Sequence, residues 1–181
     1  MSVLTQQPVR SAGRSPRELI PAWAWDLLAA DFRKAHHTTH AYTDRALGQW
    51  LIYMTAAGKI LRAARRDPAA YVRIVPTPPV DAVWHTALQR TEVYLPLSLA
   101  LAGTMIHHRP VMDDDIRSGA ALARTIPHLQ ATGFAVDREF WDDEAAAGCC
   151  PPECAGMGGR GGLSGWEKHG LGPDTPLTVP F

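Results

Sequence analysis

Apolar residues recur along this chain at helical rather than strand spacing. The clearest run follows Thr43-Asp44, where Leu47, Trp50, Leu51, Met54 and Leu61 stand three, four or seven apart and predict an amphipathic helix. Arg62, Arg65 and Arg66 suit its C-terminal end, where cationic side chains are favoured, and Asp67-Pro68 stops it. Upstream, Ser15-Pro16-Arg17-Glu18 reads as a capping box with proline at the first helical position. Pro21 interrupts that start, so the pattern predicts one turn and a restart through Trp23, Leu27 and Ala30 toward Lys34.

Downstream the punctuation is denser. Tyr71 to Val75 alternates as a short strand would, but Pro76, Pro78 and Pro79 follow at once, and an extended connector fits equally well. Pro79 suits the first turn of a helix running through Trp84, Leu88 and Thr91 to about Tyr94, with Pro96 opening another that ends near Gly103. Asp113-Asp114-Asp115 can cap a helix over Ile116 to Arg124. Phe134 to Trp141 is amphipathic but fits no single element. Trp23, Trp25, Trp50, Trp84 and Trp141 fall on or near apolar faces and are read as core.

From Gly148 onward the composition changes to nine glycines and five prolines in 34 residues, which signals irregular structure. The fold expected is mostly α, a compact multi-helix single domain over 15–147, preceded by a flexible arm at 1–14 and followed by a Gly/Pro/Cys-rich tail at 148–181. A chain of 181 residues suits one such domain.

Charge changes the picture only locally. Eighteen basic and eighteen acidic residues cancel, so no global field draws the molecule to nucleic acid or an anionic membrane. Residues 1–75 nevertheless carry eleven Lys/Arg against five Asp/Glu, and residues 76–181 carry seven against thirteen, which favours contact between halves or with a partner or second copy. The longest greasy stretch, Leu95 to Ile106, is broken by Pro96 and Ser98 and falls short of the roughly 20 residues of a bilayer span. No secretory pattern opens the chain, and a cytoplasmic protein is expected. Three cysteines in that compartment read as free thiols, metal ligands or redox groups.

The informative chemistry lies in Val80-Asp81-Ala82-Val83-Trp84-His85. Asp81 and His85 are four apart and therefore share one helical face. His107 and His108 follow a turn at Gly103, and an antiparallel return would bring one of them to that face. Two histidines and a carboxylate form a facial ligand set for a divalent ion, zinc or iron, with positions left open. The competing reading has Asp81 merely holding His85 by a hydrogen bond while His107-His108 ends a helix.

The segment from Pro76 to Pro110, V-P-x-P-x-V-D-x-V-W-H-x-x-L-x-x-T-x-x-Y followed by G-x-x-I-H-H-x-P, resembles the glycine-rich-domain-containing protein family in its short bacterial form. The close match covers about 35 residues. It implies a mostly helical domain. The sequence departs from the family at Ala87, where a second histidine is usual, and at Leu97-Ser98, where the family has Asp-Cys.

Other clusters carry less. His36 and His40 are spaced to chelate but lie among threonines in an expected inter-helix loop. Cys149, Cys150 and Cys154, with His169, lack the paired spacing of a structural zinc site. The glycines at 156–162 follow no strand and lack the Lys-Ser/Thr of a phosphate loop. Asp113 to Asp115 read as a solvated helix start rather than as ion ligands.

Together these features predict a small metalloprotein in which Asp81, His85 and His107 or His108 bind the ion. Tyr94 or His36 would act as acid/base partner on a small-molecule substrate. The alternative is a non-catalytic protein- or RNA-interaction module with structural histidines. RNA is the less favoured partner, because Arg62, Arg65 and Arg66 form only a partial basic patch.

Overall fold

Ser15 accepts a hydrogen bond from the Arg17 backbone amide and opens a single 3-10 turn, Pro16–Leu19, with proline at its start. The chain restarts after Pro21 as α1 (Ala22–His36), followed by α2 (His40–Arg66), α3 (Pro78–Leu88), α4 (Thr91–Ala102) and α5 (Ala120–Gln130). This computed structural model describes residues 14–108 and 120–141, all within one unit of the fold, Met1–Cys149. Among the described residues there is no strand, and residues 71–77 form a connector after a 3-10 turn at Pro68–Ala70. The mostly α expectation is met. The proposed helix start at Asp113 to Ile116 and the cysteine-bearing tail lie outside the described residues.

Helix α2 is the axle. Every residue from Ala46 to Gly58 is buried, because α1, α3, α4 and α5 all pack on it and leave it no wet face over that stretch. Small residues make the close packing possible. A Cβ on Gly58 would lie 2.6 Å from the Leu101 carbonyl oxygen, so glycine is what lets α4 approach here. Arg62 and Arg65 extend from the end of α2 to the carbonyls of Ala100 and Gly103, satisfying the last turn of α4. Gly103 adopts φ 69°, the left-handed cap that ends α4.

Several boundaries differ from the sequence pattern for identifiable reasons. Helix α2 begins at His40 rather than Thr43, because Thr39 caps the Tyr42 amide while Thr43 turns inward. Thr91 rather than Pro96 opens α4, and Pro96 sits inside it. Both Pro96 and Glu92, whose carbonyl loses its amide partner, lie on the exposed face, where water can replace the bond. Helix α5 continues past Arg124 and Pro127 because Thr125 and Leu129 anchor it in the core. Trp23 is 56% exposed, since α1 buries Ala24, Trp25, Leu28, Ala29 and Phe32 instead. The stripe through Trp23, Leu27 and Ala30 is therefore not the packed one.

The segment from Phe134 to Trp141 is irregular apart from a short 3-10 turn, Arg138–Phe140. Its order comes from α2. Gln49 donates to the Ala135 carbonyl and accepts from the Asp137 amide and the Trp141 indole. Thr77, just before α3, donates to the Phe140 carbonyl at 2.6 Å. These bonds fix the N-terminus of α3, which carries the chemistry.

Candidate metal centre

Pro78 and Pro79 occupy the first positions of α3, where a missing amide hydrogen costs nothing. Asp81 follows in the first turn, its carboxylate favoured by the positive end of the helix. One turn later His85 stands over it on the same face, with its Nε2 3.5 Å from Asp81 Oδ2. The third group arrives from beyond α4. His108 Nε2 donates to Asp81 Oδ1 at 2.7 Å, and the two imidazoles lie 4.7 Å apart between centroids.

The three ligand atoms all lie within 4.8 Å of one another, the one such group among the described residues. Metal–ligand bonds of about 2.0–2.1 Å in a tetrahedral shell place neighbouring ligand atoms about 3.3 Å apart. The two carboxylate–imidazole separations, 2.7 and 3.5 Å, bracket that value. Burial is graded across the set: the side chain of Asp81 is 7% exposed, His108 13% and His85 38%. The carboxylate is thus rooted in the protein while the His85 side opens to solvent. Two imidazoles and one carboxylate can take a borderline divalent cation with coordination positions remaining.

Of the adjacent histidines, the structure brings in His108 and leaves His107 exposed. Ile106 is buried and its carbonyl accepts from the Tyr94 hydroxyl, so successive residues 106, 107 and 108 face in, out and in. Trp84 also frames the site, with its ring edge-on to His108 at 4.6 Å and its indole N–H donating to Tyr94.

The two acid/base candidates fare differently. The Tyr94 hydroxyl is committed to Ile106 and Trp84 in a buried setting, and burial raises its pKa above the ordinary tyrosine value. The hydroxyl expected to move a proton thus stands as a buried bridge between an indole N–H and a backbone carbonyl. His36 ends α1 with one ring face on Phe32, 4.5 Å between centroids. That partial burial, then the charges of His37 and His85, lowers its pKa and favours the neutral ring. His36 ends α1 and His40 opens α2, and His37 at φ 52° turns the chain between the two helices.

Sequence reasoning did not single out the ion pair at the end of α1. Arg90, in the turn between α3 and α4, bonds Asp31 at 2.5 Å, and that bond holds the Asp31 carboxyl below its ordinary value of 3.8. Its partners are 59 positions apart, and no local spacing announces them. Ala87, where the resembled family has a histidine, is fully buried in the core. No helix of the described residues is long and apolar enough to cross a membrane. Comparison with protein-family models, curated proteins and solved structures gave no match.

Proposed function

We propose that this protein binds a divalent metal ion, zinc or ferrous iron, through Asp81, His85 and His108, and uses it on a small-molecule substrate. The observation that carries this reading is the convergence of a buried carboxylate with two imidazoles from segments 27 positions apart, at separations suited to one ion. The V-D-x-V-W-H and I-H-H-x-P elements of the glycine-rich-domain-containing family supply these three residues, and we read the resemblance as kinship on that basis. An ion held here supplies Lewis-acid chemistry, polarising a carbonyl or lowering the pKa of a water. His36, whose pKa is lowered chiefly by partial burial, is the candidate general base.

The interaction-module alternative loses support where RNA is concerned. Two of the three arginines of the candidate patch, Arg62 and Arg65, are engaged as caps on α4.

Elemental analysis of untagged protein tests the reading. Near-stoichiometric zinc or iron is expected in wild type and in His107→Ala, with loss in His85→Ala and in His108→Ala. Wild-type protein that stays metal-free after reconstitution with either ion would overturn it.

A further inference from the structure

Four groups close a ring of contacts beside the candidate centre. Trp84 lies on α3 between the two ligands of that helix, and its indole N–H donates to the Tyr94 hydroxyl at 2.9 Å. Tyr94 donates in turn to the Ile106 carbonyl. Two residues later His108 meets Asp81, one turn back from His85 on α3, and the Trp84 ring edge closes against the His108 ring. Within residues 104–108, Thr104 is half-buried and Met105 and His107 are exposed. Before the segment reaches the site it is fastened at Ile106, whose side chain is buried and whose carbonyl takes the Tyr94 hydroxyl.

We propose that Tyr94 is a positioning residue whose hydroxyl, by fixing the Ile106 carbonyl, selects His108 over its neighbour His107 as the third metal ligand. The inference rests on the metal-binding reading above. Selection is by counting: residues 106, 107 and 108 are buried, exposed and half-buried in turn, so the residue two beyond the fastened carbonyl faces Asp81 and the residue one beyond it faces water. Removing the hydroxyl leaves all three ligands in the chain but releases the carbonyl that sets the register of the segment delivering one of them. Groups that orient metal ligands commonly contribute ten- to a hundredfold in affinity.

Cobalt(II) alone serves as the probe, titrated by its visible absorption. Wild type is expected to bind about one equivalent; Tyr94→Phe, with unchanged helical circular dichroism, should bind about tenfold or more weakly. Leu129→Ala, a core truncation on α5, supplies a control that lowers stability while leaving cobalt affinity unchanged. Two insertions test the counting without touching Tyr94. A glycine placed between Ile106 and His107 moves His107 to the ligating position, so cobalt binding should now be lost in His107→Ala and kept in His108→Ala. A glycine placed between Thr104 and Met105 should leave His108 the required residue.

Equal cobalt affinity in wild type and a folded Tyr94→Phe, or an unchanged requirement for His108 after the first insertion, would overturn the positioning role while leaving the metal centre standing. If Tyr94→Phe does not fold, the insertions decide. Wild type that binds no cobalt removes the metal reading and this inference with it.

Discussion

Asp81 and His108, 27 positions apart, meet at 2.7 Å through one carboxylate oxygen and one imidazole nitrogen. The contact ties the segment after α4 to the first turn of α3, so it is a structural link as well as two of the three members of the candidate ligand set. Truncating the carboxylate leaves His108, largely buried, without its acceptor. A buried polar group left unpaired costs about 1–3 kcal/mol. Asp81→Ala is therefore expected to lose stability by that amount in urea denaturation of the metal-free protein, and to take up no metal in elemental analysis.

Gly58→Ala sets two effects against each other. Alanine gains about 1 kcal/mol of helix propensity over glycine. The new methyl, however, would sit 2.6 Å from the Leu101 carbonyl oxygen, backbone that cannot swing aside, and overpacking of this kind costs typically about 1–3 kcal/mol. Overpacking wins, and urea denaturation should show a lower midpoint for the variant. A midpoint equal to or above wild type would mean that α4 is free to shift off α2.

Gln49→Leu removes three hydrogen bonds at once. The Trp141 indole and the Asp137 amide lose their common acceptor, and the Ala135 carbonyl loses a donor. Each buried group left unpaired costs about 1–3 kcal/mol, partly relieved where water enters. The expected outcome is a loss of about 2 kcal/mol or more. Trp141 fluorescence should report the release of its segment before the far-ultraviolet helical signal falls.

The Asp31–Arg90 pair makes stability depend on acid in a defined direction. Its bond to Arg90 lowers the folded-state pKa of Asp31 below 3.8, so the folded protein holds the carboxylate more readily than the unfolded chain does. The stabilisation is complete above the unfolded value and is lost as pH falls through the lower folded value. Asp31→Asn should thus melt below wild type at pH 7, and the two curves should converge in strong acid. Both side chains are about a third exposed, so the difference is expected to be small and to shrink in high salt. A difference that persists in acid would assign it to something other than the ion pair.

Much of this architecture is legible in the residues themselves. Ser15-Pro16 opens a turn, Pro21 forces a restart, Asp67-Pro68 ends the long helix and Gly103 caps α4, because each acts through its own backbone chemistry over one or two turns. The pairing of Asp81 with His85 is equally local, since a spacing of four on a helix puts two side chains on one face whatever surrounds them. Which face of α1 would be buried was not legible. Trp23 and Trp25 are both candidates by hydrophobicity, and only the neighbours around α2 decide that Trp25 goes in.

The choice between His107 and His108 lies in the same category. Both are adjacent, identical in chemistry and equally able to ligate. What separates them in the structure is burial and contact: His108 reaches the Asp81 carboxylate while His107 is exposed. The sequence by itself determined that the chain is helical, several of the helix ends, and the shared face of Asp81 and His85, because those depend on neighbours along the chain. The arrival of His108 at that face, the Asp31–Arg90 pair and the anchoring of Trp141 by Gln49 were decided only in the tertiary structure, where packing brings together groups whose separation along the chain has no period to reveal it.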